Sequence, residues 1–116
     1  MTSLNGRVAE HDIDGLFLRR WSPRAFTEEA IPEAELLRCF EAARWAPSAY
    51  NSQPWHFIYA RRGSERWPVF LEILNEWNRG WAQHAAALVI VTSKSKFDQP
   101  GKGETPLLTH SFDAGA

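Results

Sequence analysis

Cysteine is nearly missing from this sequence: Cys39 is the one thiol in 116 residues. It closes no internal disulfide and cannot build a cysteine-based metal cluster. An excess of charge of one sign is also missing. The net charge of -1 gives no strong electrostatic pull toward nucleic acid or anionic membrane. Long hydrophobic runs are absent too. The longest, Ala85 to Val91, is too short to span a bilayer, and the opening MTSLNGRVAEHDID has no apolar core of the kind a signal peptide carries. A reducing, cytoplasmic setting is the expectation. Neither GxxxxGK(S/T) nor GxGxxG occurs, so there is no phosphate loop and no dinucleotide fingerprint. His11, His56, His84 and His110 share no ligand spacing, which argues against a metal site.

What is present describes a folded chain. At 44% hydrophobic and 23% charged residues it is one globular domain or a piece of one. Six tryptophans are many for this length, and such rings usually supply core or interface area.

Residues 1–11 are polar and read as a loose arm. From Asp12, the spacing of Ile13, Leu16 and Phe17 predicts a short amphipathic helix, with Arg19 and Arg20 in its last turn, where cations suit the helix dipole. Ser22 and Pro23 end it. Arg19, Arg20, Ser22 and Arg24 place three guanidinium groups and a hydroxyl within six residues, a set able to make bidentate, charge-assisted contacts to a phosphate. Arginines capping a solvated helix end would look the same in sequence. Trp21 counts against full solvation.

Pro32, the acidic residues after it, and the spacing of Leu36, Leu37, Phe40 and Ala43 predict a helix running to Trp45. Cys39 within it reads as a small packing residue, since no base is placed near it. The next stretch, APSAYNSQPWHF (Ala46 to Phe57), is unusually polar for a connection. Pro47 and Pro54 bar regular helix between them and disfavour a central strand. The remainder is a stiffened loop presenting Ser48, Asn51, Ser52 and Gln53, either as turn formers or as partners for a polar ligand.

Trp55 to Arg61 follows as a strand rich in aromatic and β-branched residues. Ser64 and Pro68 open a helix carrying Val69, Phe70, Ile73 and Leu74. Asn75 to Trp81 reads as a polar bend, and Ala85 to Ser93 as a strand covered on both faces, because its apolar residues do not alternate. Residues 94–108 read as a long loop of the sort that forms lids, and HSFDAGA as a helix start with Ser111 as candidate cap. Two strands are too few for an independent sheet. The expectation is that residues 1–116 are the N-terminal portion of one larger domain.

The combination of RWSPRAF (Arg20 to Phe26) and EAARWAPSAYNSQPWHF (Glu41 to Phe57), with a helix between them and the later NRGWAQHAAALVIV (Asn78 to Val91), resembles the FMN-dependent nitroreductase family. The resemblance covers residues 12–116. It implies an α+β flavoprotein fold with a central, mostly antiparallel sheet flanked by helices, in an intertwined homodimer with FMN at the interface. Arg20, Ser22 and Arg24 then match the segment that holds the FMN phosphate and the polar ring edge. Trp21 occupies a neighbouring position often held by a smaller or basic residue. Pro47, Ser48, Ala49, Asn51 and Gln53 match a loop that reaches the flavin from the partner subunit. Asn78 matches an Asn that hydrogen-bonds the ring, and Tyr50 becomes a candidate for lining the substrate face.

The implied activity passes hydride from NAD(P)H through FMN to a nitroaromatic, quinone or similar acceptor by a ping-pong mechanism. No side chain need act as nucleophile or general base. A non-catalytic flavin-binding or interaction module is the alternative, and a basic-aromatic surface for nucleic acid is a third reading that the net charge disfavours.

Overall fold

A computed structural model describes residues 6–116. Two antiparallel strands, β1 (Trp55–Arg61) and β2 (Ala87–Ser93), form its centre, paired from Trp55↔Ser93 to Arg61↔Ala87. Directly opposed residues of such a pair share a face. Ile58, Ala60, Leu88 and Ile90 therefore lie on one side, and Phe57, Tyr59, Val89 and Val91 on the other.

Helix α1 (Gly15–Arg19) is capped by Asp14, whose carboxyl accepts the Leu16 N–H at 2.7 Å. Helix α2 (Glu33–Arg44) starts after Pro32 with Glu33 and Glu35 in its first turn, as its sequence leads one to expect. It covers the second face of the sheet through Phe40, whose ring lies 5.1 Å from Phe57 and 5.4 Å from Tyr59. The Tyr59 hydroxyl donates to Glu33 at 2.6 Å, and that bond raises the pKa of the phenol above its ordinary value. Helix α3 (Trp67–Ile73) covers the first face: Trp67 and Phe70 pack on Ala60, flanked by Leu71, Leu88 and Ile90. Truncating a buried aromatic of this kind costs about 3–5 kcal/mol in a well-packed core.

Five expectations need correction. Asn75 to Trp81 is not a bend, because Asn75 accepts the Asn78 N–H at 2.8 Å and so caps helix α4 (Glu76–Ala82). Residues 94–108 are not an unstructured loop. They hold the hairpin β3 (Lys96–Gln99) and β4 (Gly103–Pro106), turned at Gly101 and Gly103, both with positive φ. Strand β2 is not covered on both faces by the described residues, since it contains no buried residue and Val91 is 50% exposed. Cys39 does not pack but is exposed on α2. The final helix, α5 (His110–Gly115), is present, with Thr109 rather than Ser111 at the cap position.

The expected loose arm lies partly outside the described residues. In its described part the Arg7 guanidinium donates to the Arg20 carbonyl at 2.6 Å. No helix among the described residues is long and apolar enough to cross a membrane. No side chain among them is fully buried. The radius of gyration is 17.9 Å, whereas a compact domain of this length has about 13 Å. Large apolar side chains face outward, Leu108 at 92% and Phe112 at 82% exposure.

Candidate functional site

The segment after α1 runs along α4. Arg24 places its guanidinium 4.7 Å from the centroid of the Trp77 ring, a cation–π contact, and Phe26 stacks on Trp81. One residue along from Trp77 is Asn78. Its Oδ1 accepts the Trp81 indole N–H at 3.3 Å, which leaves the side-chain NH2 as a donor. The arm thus packs on α4, the helix that carries Asn78. Arg20, Trp21, Ser22 and Arg24 are all exposed. Among the described residues, neither Arg20 nor Arg24 is paired with a carboxylate. Exposed, unpaired guanidinium groups are what an anionic group such as a phosphate requires.

The arm is fastened further on, at Glu28, a non-glycine residue with φ of 64°. Arg62 donates to the Glu28 carbonyl and, at 2.6 Å, to the His84 carbonyl, while the His84 ring contacts the Glu28 carboxylate. This anchor sits at the Arg61 end of the ribbon.

The loop 47–53 lies at the opposite end, before Trp55. Its backbone is strained: Tyr50, Asn51 and Gln53 have φ of 56°, 49° and 47°. Only Asn tolerates that region readily, so Tyr50 and Gln53 are held there at a cost of about 1–2 kcal/mol each. Ser48 Oγ accepts the Gln53 N–H at 3.0 Å, its carbonyl accepts the Asn51 N–H at 3.0 Å, and Gln53 Nε2 donates to Asn51 Oδ1 at 3.0 Å. Ser48 and Ala49 are half-buried; Pro47, Tyr50, Asn51 and Gln53 are exposed. Tyr50 stacks on Phe97 of the hairpin with ring centroids 5.0 Å apart. Beside this pair is a cavity of about 400 Å³, lined in part by Asn51, Ser52, Lys94 and Leu107.

The structure therefore assembles the expected residues into two groups rather than one. No hydrogen bond, ion pair or ring contact joins 20–26 to 47–53 among the described residues. The seven residues of β1 separate the Glu28 anchor from the loop by about 20 Å. Three neighbours of these groups escaped the sequence reading: Trp77, Phe97 and Asp113. Trp77 and Trp81 are four residues apart, a helical signal masked by the polar letters around them. Phe97 lies in the hairpin read as loop. Asp113 has Thr109 four residues before it, the one hint of its hydrogen bond.

Comparisons with known proteins agree on one family. A model described as "Nitroreductase family" matches residues 18–110. A Streptomyces coelicolor protein, provisionally named an NADH dehydrogenase/NAD(P)H nitroreductase, is 31% identical over 72% of this chain and 41% of its own length. A solved structure described as an oxidoreductase containing FMN is 49% identical with a TM-score of 0.93, over all of this chain and 59% of that one. A nitroreductase-type structure in complex with FMN from Desulfovibrio desulfuricans shares the fold, with a TM-score of 0.60 at 24% identity, over 76% of this chain and 49% of that one. The chain thus spans between two-fifths and three-fifths of the length of these proteins.

Proposed function

This chain belongs to the nitroreductase family, and from that membership we propose that the protein is an FMN-dependent oxidoreductase working as a homodimer. The chain spans part of the length of its relatives, and further protein would close the apolar surface left open here. Cysteine usage fits a cytoplasmic setting.

The observation that carries the reading is the packing of the Arg24 arm on α4, the helix that carries Asn78, while the loop 47–53 stands apart at the far end of the ribbon. One chain then offers two half-sites. The arm of one copy supplies Arg20, Ser22 and Arg24 for the phosphate, with Trp21 beside them, and Asn78 donates its free NH2 to the polar ring edge. The loop of the other copy supplies Pro47, Ser48, Ala49, Asn51 and Gln53 against the ribityl chain and ring. Bound FMN would supply the redox chemistry, taking hydride from NAD(P)H and passing it to an acceptor in ping-pong order.

The chain's own residues orient the ring, neutralise the phosphate and keep one ring face open. Tyr50 and the cavity beside it suit a planar acceptor such as a nitroaromatic or quinone, since about 400 Å³ lies in the range of small-ligand sites.

The test is the visible absorption spectrum of the purified protein with FMN, before and after anaerobic addition of NADH or NADPH. Flavin bands that bleach with either nucleotide are expected. Bands that persist with both would favour a non-catalytic flavin-binding module, and a protein that takes up no FMN would refute the reading.

A further inference from the structure

Asp113 is 7% exposed and is the buried charged residue among those described. Its Oδ2 accepts two hydrogen bonds, from the Ala49 N–H at 3.1 Å and from the Thr109 hydroxyl at 3.0 Å. Its own N–H donates to the Thr109 carbonyl at 2.8 Å, which fixes the carboxyl within the first turn of α5. The bond to Ala49 joins residues 64 apart in sequence.

Directly after Ala49 come the three left-handed residues, Tyr50, Asn51 and Gln53. Side chains of L-residues hold that conformation only when their surroundings impose it. The bonds from Ser48 to Gln53 and from Gln53 to Asn51 are internal to the loop and move with it. Among the described residues, one ring contact and one hydrogen bond tie it to other elements: the Tyr50 ring on Phe97, and the Ala49 N–H on Asp113. The first holds a side chain, and the second holds the backbone.

We propose that Asp113 is a positioning residue for the 47–53 loop, fixing its backbone through the Ala49 N–H so that Ser48, Asn51 and Gln53 meet the flavin in one geometry. The proposal rests on the reading of this loop as a flavin contact. Asp113 touches no cofactor itself and acts through Ala49.

The test compares Asp113→Ala, Asp113→Asn and Thr109→Val in the FMN-loaded protein. One readout is hydrogen exchange of the Ala49 amide by NMR, relative to amides of β1 and β2; the other is FMN affinity by fluorescence titration. Asp113→Ala is expected to speed Ala49 exchange about tenfold over the strand amides and to weaken FMN by about tenfold, the loss of one charge-assisted hydrogen bond. Asp113→Asn keeps an acceptor oxygen and should stay within about threefold of wild type. Thr109→Val, which removes one partner of the carboxyl, should fall between them and decides the matter if Asp113→Ala does not fold. Unchanged exchange and affinity in both Asp113→Ala and Thr109→Val would overturn the proposal. So would equal acceleration at Ala49 and throughout the strands, the mark of a merely structural role. If the wild-type protein takes up no FMN, the flavin reading fails, and Ala49 exchange still reads the tie separately.

Discussion

Arg24 lies over the Trp77 ring in a stretch, residues 20–26, without a left-handed residue, and its charge faces outward without a carboxylate partner among the described residues. Some 25 residues later, Tyr50, Asn51 and Gln53 crowd three left-handed conformations into one short loop whose backbone is pinned to Asp113. Residues 20–26 offer side-chain charge on a relaxed backbone; the loop offers a shaped backbone at the expense of strain. Substitutions should therefore act differently in the two places. In the arm they should change affinity and spare stability, and in the loop they should change both.

The largest effect is expected where charge meets the ligand. Arg20→Ala or Arg24→Ala should weaken FMN by about tenfold to a hundredfold, the worth of a hydrogen bond to a charged group, and shift stability by no more than about 1 kcal/mol, the upper value of the cation–π contact that Arg24→Ala removes. Fluorescence titration beside a thermal melt reads both; a melt that falls with the affinity would break the contrast. Next comes the loop. Gln53→Val, a β-branched residue at a φ of 47°, should be less stable than Gln53→Gly by about 1–2 kcal/mol, because glycine accepts that conformation. Equal melting temperatures for the two variants would remove the argument from strain.

Trp77→Leu should have a smaller effect, loosening FMN by about threefold to fivefold, because an exposed cation–π contact is worth about 0.5–1 kcal/mol. Exchange of the Ala49 amide should not change in that variant.

The smallest effect lies at the end of α2, where the helix leads into the loop. The Arg44 guanidinium and the Trp45 indole N–H, both on Glu41, hold its carboxyl below the ordinary value. A depressed folded-state pKa stabilises the protein above the unfolded value and is lost as pH falls through the folded one. The slight advantage of wild type over Glu41→Gln should thus be present at neutral pH and vanish in acid, as melts at pH 7 and pH 3 would register. Full exposure keeps it small.

How much of this was legible in sequence depended on whether the signal was local. Helix α2 announced itself through Pro32, acidic first-turn residues and apolar spacing, and β1 through its run of aromatic and β-branched letters, matched to the residue. Helix α4 was missed because its polar letters hide a cap whose hydrogen bond, Asn75 to Asn78, is invisible without coordinates. The hairpin was missed because Gly101 and Gly103 read as loop punctuation, although their positive φ is what lets the strands return. Strand β2 carries no alternation, which suits a fully covered strand, yet the described residues cover it only in part.

For the candidate site, the two polar stretches could be picked out by residue type. Their separation by the length of β1 could not, and neither could the tie from Ala49 to Asp113, which links residues far apart in the chain.

The account's central claim is that one FMN site takes its arm from one copy of the protein and its loop from another. The most direct measurement is FMN binding by a mixture of two variants, one carrying Arg20→Ala with Arg24→Ala, the other Asn51→Ala with Gln53→Val, co-expressed in equal amounts. In a mixed dimer, one site joins both damaged halves and the other joins both intact halves. Random pairing makes half the dimers mixed, so the account predicts recovery of about a quarter of wild-type FMN occupancy, above either variant alone. Occupancy no higher than the average of the two variants would contradict it, and would place arm and loop at one site within a single chain.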